Sequence, residues 1–242
     1  MNPLKTNEIT CGGWVQTGST GITEVMADSG YFDWICIDLE HGIIAGFEAL
    51  VNLIRTIELY NVTPVVRVPK NDYKWIGRSL DAGAKGIIVP MVNSVSDAVR
   101  AVESSKYPPQ GKRGFGYSRS NRFGRTFWND IEKDDIAVIV QIEHDDALRN
   151  LKAILSVDGV DGSLIGPLDL RGSVDITMDD ISFAKLLAEY IGVCRDLGKP
   201  AGTHIVDPNL LSMEDAKMEG YKIIAVGTDA VFLRQRMDNL LC

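Results

Sequence analysis

TPVVRVPKNDYKWIGRSLDAGAKGIIVPMV, residues 63 to 92, is a complete strand, helix and strand in thirty positions. TPVVRVP (63 to 69) and GIIVPMV (86 to 92) are short β-branched runs bounded by turn residues. Between them DYKWIGRSLDAG has helical spacing and ends at a glycine suited to a left-handed cap. A link this short serves a right-handed crossover between parallel strands.

Working outward in both directions, the same unit recurs. Strand-like runs fall at CGGWVQT (11 to 17), WICIDLE (34 to 40), AVIVQIE (137 to 143), GSLIGPLDL (162 to 170), PAGTHI (200 to 205) and KIIAVGTD (222 to 229), which with the first two makes eight. Helical stretches lie between them: FEALVNLIRTIELY, SVSDAVRAVESS, DDALRNLKAILSV, ISFAKLLAEYIGVCRDLG and NLLSMEDAKMEG. Strands alternating with helices predict a parallel sheet covered on both faces. Eight repeats in 242 residues predict an α/β fold of the closed (β/α)8 TIM barrel kind, residues 1 to 242 as one domain, rather than an open doubly wound sheet.

Composition agrees and narrows the function. The chain is 45% hydrophobic and 24% charged with a net charge of −8, which argues against a general nucleic-acid or membrane-surface binder because phosphate neutralisation needs a basic face. Four scattered cysteines (Cys11, Cys36, Cys194, Cys242) have no C-x-x-C pair and read as reduced thiols. MNPLKTNEIT lacks the apolar stretch of a signal peptide, and no run approaches the ~18 apolar residues of a membrane span, so the expected compartment is the cytoplasm. One long irregular piece, residues 108 to 130, carries Lys112, Arg113, Arg119, Arg122 and Arg125 before its first acid, Asp130. It is either a solvated or subunit-contact loop, or an anion-attracting lid over the site.

In such a barrel chemistry sits where strands leave the sheet. Strand two ends in Glu40 and His41, strand three in Arg67, strand five in Gln141, Glu143 and His144, strand six in Asp169 and strand seven in His204. Glu143 and Asp169, each after an apolar run on neighbouring strands, either hold a hard divalent ion such as Mg²⁺ or Mn²⁺ or form salt bridges with Arg67 or a loop arginine. His41 is a candidate acid or base, since an imidazole exists in both forms near neutral pH, or else a cap for the following helix. Arg67 is placed to neutralise an oxyanion, or to pair structurally with Glu40 or Asp38. A Schiff-base lysine is disfavoured because Lys85 and Lys222 precede their strands and Lys70 lies in a loop. G-x-S-x-G is absent, and RGFGY lacks the context of a dinucleotide fingerprint.

FDWICIDLEHG, VVRVP, LDAGAKGIIVPMV, YPPQGKRGFG, VIVQIE, VDGSLIGPLDL and IAVGTDAVFL, in this order and spacing, resemble the HpcH/HpaI class II pyruvate aldolases over nearly the whole chain. The resemblance implies a barrel of the phosphoenolpyruvate/pyruvate-binding type. It also implies a metal-dependent aldolase (Mg²⁺ or Mn²⁺, with Co²⁺ as a further option) that cleaves a 2-oxo-4-hydroxy acid to pyruvate, or a close analogue, and an aldehyde through an enolate held at the metal. Position by position, it puts the metal carboxylates on Glu143 and Asp169, the enolate-stabilising arginine on Arg67, and the histidine with its supporting aspartate on His41 and Asp81. Gln141 and the backbone of Gly166, Pro167 and Leu168 would contact the pyruvate unit, and Glu40 and Asp38 would hold metal-bound water or neighbouring ligands.

His144, Tyr117, the segment LRGSVDITMDD and His204 depart from the family pattern; His204 stands where a less polar wall of the substrate pocket is expected and is counted with the substrate-binding residues, and either histidine would alter the choice of aldehyde or add a metal ligand. The competing readings are a CoA-thioester lyase of the citrate-lyase-like relatives and a non-catalytic anion-binding oligomer. The last stretch, AVFLRQRMDNLL, has apolar residues at helical spacing suited to packing on another subunit, and the resemblance implies a homo-oligomer, a hexamer or trimer.

Overall fold

The computed structural model describes residues 2–133, 135–175, 177–206 and 211–241. Eight parallel strands close into a barrel in chain order: β1 (Thr10–Val15), β2 (Trp34–Asp38), β3 (Thr63–Arg67), β4 (Gly86–Val89), β5 (Ala137–Ile142), β6 (Gly162–Ile165), β7 (Ala201–Ile205) and β8 (Ile223–Thr228), with β8 pairing back on β1. The helices around them are α1 (Thr20–Asp28), α2 (Phe47–Leu59), α3 (Tyr73–Ala82), α4 (Val95–Ser105), α5 (Phe127–Lys133), α6 (Asp145–Arg149), α7 (Leu151–Leu155), α8 (Pro167–Val174), α9 (Asp180–Asp196), α10 (Met213–Glu219) and α11 (Asp229–Leu241). No helix among the described residues is long and apolar enough to cross a membrane.

The opening unit forms as its residues dictate. Asp72 caps α3 by accepting from the Lys74 and Trp75 amides, and Gly83 ends it in the left-handed conformation that a side chain would resist. The helix buries Ile76 and Leu80 against the sheet. Burying two such side chains contributes on the order of 4 kcal/mol.

Two predicted elements differ. The run DDALRNLKAILSV is not one helix: it breaks at Asn150 into α6 and α7. The sixth strand stops at Ile165 rather than reaching residue 170, because Pro167 has a fixed φ and no N–H for a ladder but suits the first turn of a helix. Asp169 consequently lies in the first turn of α8 rather than at a strand end. Residues 209 and 210 of NLLSMEDAKMEG lie outside the described residues, and the helix there begins at Met213.

The barrel interior holds Leu4, Trp14, Trp34, Cys36, Val65, Ile88, Ile139 and Leu164, packed apart from the larger apolar layer between strands and helices. Its N-terminal end is filled: Leu4 packs near Gly86, and the Trp34 indole lies so close to Gly12 that a Cβ there would meet it at 2.2 Å. Asn2 holds this plug by donating to the Lys85 and Asp135 carbonyls.

The basic loop lies at this N-terminal end too. It runs from the end of α4 to the start of β5, so the alternation of the fold places it away from the rim where the strands finish. Two of its arginines are bound there: Arg113 pairs with Asp81 at 2.8 Å, and Arg119 pairs with Glu58 and donates to the Ala82 carbonyl. The lid reading is therefore set aside for this chain. Tyr117 packs edge-on against Phe127 within the loop's own aromatic cluster.

Candidate active site

The stretch WICIDLEHG builds one side of the site. β2 is buried along its whole length, and its register places Asp38 beside Arg67 of β3. Asp38 is fully buried and takes Arg67 in a two-pronged grip, Nε to Oδ1 at 2.9 Å and Nη2 to Oδ2 at 2.7 Å. Gln16 donates to Oδ2 at 2.8 Å, and the amides of Glu40 and His41 donate to Oδ1 at 3.1 and 3.2 Å. One carboxylate thus orients the arginine and folds the chain after the strand. Gly42 completes the turn, since a Cβ there would sit 2.2 Å from the Asp38 carbonyl oxygen.

Burial by itself pushes the Asp38 carboxyl up, but the hydrogen bonds and charge of Arg67, with help from Gln16 and the His41 amide, hold it below the usual carboxylate range. The Arg67 guanidinium is held flat as well: its Cζ lies 4.4 Å from the centre of the Trp14 ring, and Trp14 stacks on His204 at 4.9 Å. With Nε and Nη2 bonded to Asp38, Nη1 is left 3.2 Å from Glu40 Oε2.

The other side comes from β5 and the β6–α8 turn. Glu143, just past β5, accepts from the Met91 amide at 2.7 Å and from the Gln141 side chain. Met91 adopts a left-handed φ of 52°, uncommon for its side chain, and its amide is the donor that reaches Glu143. Gly166 lies against Glu143, where a Cβ would stand 3.1 Å from the Glu143 Cβ. Burial is the main reason the Glu143 carboxyl is pushed up; the Met91 amide opposes this, and the charges of Glu40 and Asp169 add to it. Glu40 is pushed up in the same way, by burial first, with Arg67 and His41 opposing and Asp38 and Asp169 adding.

Glu40, Glu143 and Asp169 therefore sit close enough to repel one another, with Arg67 as the cation they share and Asp38 already claiming two of its nitrogens. Glu143 is buried, Glu40 half-buried and Asp169 exposed, so the cluster runs from the barrel interior to the solvent edge, and negative charge at its buried end is costly unless a cation joins it. Gln141 Oε1 is buried without a hydrogen-bond partner, and Glu40 Oε2 has its ion pair with Arg67 Nη1 but no hydrogen bond, so oxygen acceptors remain at the same place. Carboxylate oxygens with excess negative charge fit a hard divalent ion. Among the described residues no three His, Cys, Asp or Glu side chains are grouped as a ready-made metal cage.

A cavity of about 340 Å³ opens beside this cluster, lined by Trp14, Arg67, Gln141, Gly166, Pro167, Leu168, Asp169 and His204 together with apolar residues from β6, β7 and the chain beyond. Of the candidate residues, Arg67, Gln141, Gly166, Pro167, Leu168, Asp169 and His204 share this wall, and Glu143 adjoins it through Gln141 and Gly166. His41 stands at the rim with its side chain 64% exposed and Nε2 3.9 Å from Glu40 Oε2. It does not cap α2, whose first cap residue is Gly46.

Asp81 is not brought to His41 within the chain. It closes the end of α3 next to β4, where helices return to the N-terminal end of the barrel, and its partner is Arg113. His144 caps α6 by accepting from the Asp146 amide at 3.2 Å. Trp14 and Gln16 escaped the sequence reading. A tryptophan in an apolar strand looks like ordinary core, and only its stacking between Arg67 and His204 gives it another role.

Comparison with known proteins agrees with this geometry. The model of the HpcH/HpaI aldolase/citrate lyase family matches residues 11–235. A 2-keto-3-deoxy-L-rhamnonate aldolase of Klebsiella pneumoniae is 35% identical, the match covering 99% of this chain and 92% of that protein. A hydroxypyruvate/pyruvate aldolase of Sagittula stellata is 37% identical, with 96% and 91% covered. Among solved structures, an HpcH/HpaI aldolase/citrate lyase family protein from Burkholderia cenocepacia superposes with a TM-score of 0.90 at 28% identity, covering 100% of this chain and 98% of that one. The fold and site define an enzyme, a carbon–carbon lyase of the aldolase kind. The chain belongs to the HpcH/HpaI aldolase/citrate lyase family.

Proposed function

We propose that the protein is a divalent-metal-dependent aldolase that cleaves a 2-oxo-4-hydroxy acid to pyruvate, or a close analogue, and an aldehyde. The observation that carries this reading is the group of mutually repelling carboxylates, Glu40, Glu143 and Asp169, beside an arginine already held by Asp38. Glu143 and Asp169 would hold the ion, Mg²⁺, Mn²⁺ or Co²⁺ by donor type. Once bound, the ion supplies Lewis-acid charge to a 2-oxo group.

The chain's own residues account for the remaining steps. Gln141 and the backbone of Gly166, Pro167 and Leu168 orient the oxo acid against the cavity wall. Arg67, locked by Asp38 and Trp14, presents a permanent cation to the oxygen that becomes negative as the C3–C4 bond breaks, and it does so without reorganising. His41 takes the proton from the C4 hydroxyl; the electron pair of the broken bond stays with the C3 fragment, which regains a proton and leaves as the oxo acid. Within the chain Glu40 is the carboxylate beside His41 and would orient it.

The free thiols of Cys11, Cys36 and Cys194 suit a reducing compartment, which supports a cytoplasmic enzyme acting on small molecules. Leu233, Met237 and Leu240 are exposed on α11, which supports packing against a second copy in a homo-oligomer.

Chelation followed by add-back tests the reaction. Pyruvate release from 4-hydroxy-2-oxo acids is expected to stop with chelator and to return with Mg²⁺, Mn²⁺ or Co²⁺, while Glu143→Gln is not rescued by any of them. Release that ignores the chelator would remove the ion from the reading.

A further inference from the structure

His204 lies on a largely apolar stretch of the cavity wall, with Leu164, Ile165, Ile205 and Val206 around it and Thr203 as the other polar residue, and its surroundings decide which ring nitrogen meets a ligand. It sits in β7 paired with Ala225 of β8, and its ring stacks on Trp14 with an interplanar angle of 17°. Nε2 lies 3.1 Å from the Gly227 carbonyl oxygen. A carbonyl only accepts, so Nε2 carries the hydrogen. Gly227 has a left-handed φ of 57° beside the register shift between β1 and β8.

The ring is also kept neutral. Burial pushes its pKa down to about 4, the Gly227 carbonyl opposes this, and the Arg67 charge adds to it. A neutral imidazole with its hydrogen on Nε2 has a bare lone pair on Nδ1. Among the described residues Nδ1 has no hydrogen-bond partner, and His204 lines the cavity. The stack on Trp14 sets the plane of the ring, and the Nε2 contact with the Gly227 carbonyl sets its orientation within that plane.

We propose that His204 Nδ1 accepts a hydrogen bond from a hydroxyl group of the substrate, so that the site selects a hydroxylated substrate over its deoxy counterpart. This rests on the aldolase reading and names the substrate class for it. A methyl group in that place would leave Nδ1 dehydrated and unpaired, and it is this penalty that discriminates. The hydroxyl belongs either to the oxo acid, on its C3, or to the aldehyde. Because Trp14 links His204 to Arg67, where the oxo acid is held, the oxo acid is the favoured source.

The test measures kcat/KM for aldol addition by the metal-loaded enzyme with hydroxypyruvate or pyruvate, each offered with glycolaldehyde or acetaldehyde. A wild-type preference of about tenfold for the hydroxylated partner is expected in one half of the reaction, the size of one neutral hydrogen bond. Which half shows it identifies the source. In His204→Phe, which keeps a ring to stack on Trp14, the preference is expected to vanish, and in His204→Asn to survive in part; His204→Leu serves as a second apolar variant. Wild-type enzyme with no preference in either half overturns the proposal, as does a preference that persists in whichever apolar variant folds. Failure to form product from any pair with any ion would instead refute the aldolase reading.

Discussion

Replacing Asp38 by Asn tests the arrangement that orients Arg67. The substitution keeps the shape of the side chain but exchanges one oxygen for an NH₂ group. Both oxygens are in use: Oδ1 accepts from Arg67 Nε and the amides of Glu40 and His41, and Oδ2 accepts from Arg67 Nη2 and the Gln16 side chain. If the NH₂ replaces Oδ2, Gln16 can turn its own oxygen inward, but Arg67 Nη2 then faces a donor. If it replaces Oδ1, three donors oppose it, two of them fixed backbone. In either case a buried guanidinium loses its counter-charge, a loss that costs about 3 to 5 kcal/mol when one partner of a buried pair is removed.

Glu40 remains 3.2 Å from Nη1 and offsets part of this, so the lower end is expected. For a chain of this length about 3 kcal/mol corresponds to a fall in Tm of roughly 6 to 12 °C. Calorimetry on the purified variant measures it, and kcat for pyruvate release should fall in parallel because Arg67 is no longer held against the substrate. A Tm within about 2 °C of wild type, less than 1 kcal/mol on the same scale, together with an unchanged kcat, would refute this account of Asp38.

Three further outcomes are expected. Arg67→Ala should lose both aldol cleavage and exchange of the pyruvate C3 protons while Mn²⁺ binding, followed by electron paramagnetic resonance, persists; retained exchange would take Arg67 away from the developing oxyanion. His204 has a folded-state pKa near 4, below the ordinary 6.5, so the unfolded chain binds more protons between these values and stability must fall as pH drops through that window, by up to roughly 3 kcal/mol. Urea titrations from pH 7 to pH 4 should show this slope in wild type and a shallower one in His204→Asn. Charging Leu233 and Met237 of α11 (Leu233→Glu with Met237→Glu) should lower the mass measured by light scattering at micromolar concentration, and an unchanged mass would take the oligomer contact away from this helix.

Much of this was legible in the linear chain because the signals are local. Strand and helix alternation follows from runs of Val, Ile and Leu between Gly, Pro and Asp, and closing eight such units leaves little choice of topology. Polar residues at the ends of apolar strands, Arg67, Gln141 and Glu143, also stand out individually, since nothing in a buried strand calls for them. Their order and spacing resemble one family closely enough for the substrate class and metal to be expected.

Pairings between residues distant in sequence were decided only by the tertiary structure. Strand register sets Arg67 against Asp38 and so makes Asp38 the centre of a hydrogen-bond network, although sequence position alone offered Glu40 equally. Pro167 turns the sixth strand early and moves Asp169 onto a helix, and the barrel's two ends separate Asp81 from His41. Trp14 reads as core in any one-dimensional pattern, and His204 as a solitary histidine. Their meaning depends on pairing across the barrel: β7 against β8 brings the Gly227 carbonyl to one imidazole nitrogen, and closure of β8 on β1 brings Trp14 onto the ring. Local propensity is written in neighbours along the chain, whereas hydrogen-bond partnership and shared charge depend on distance in space, which closing the barrel creates.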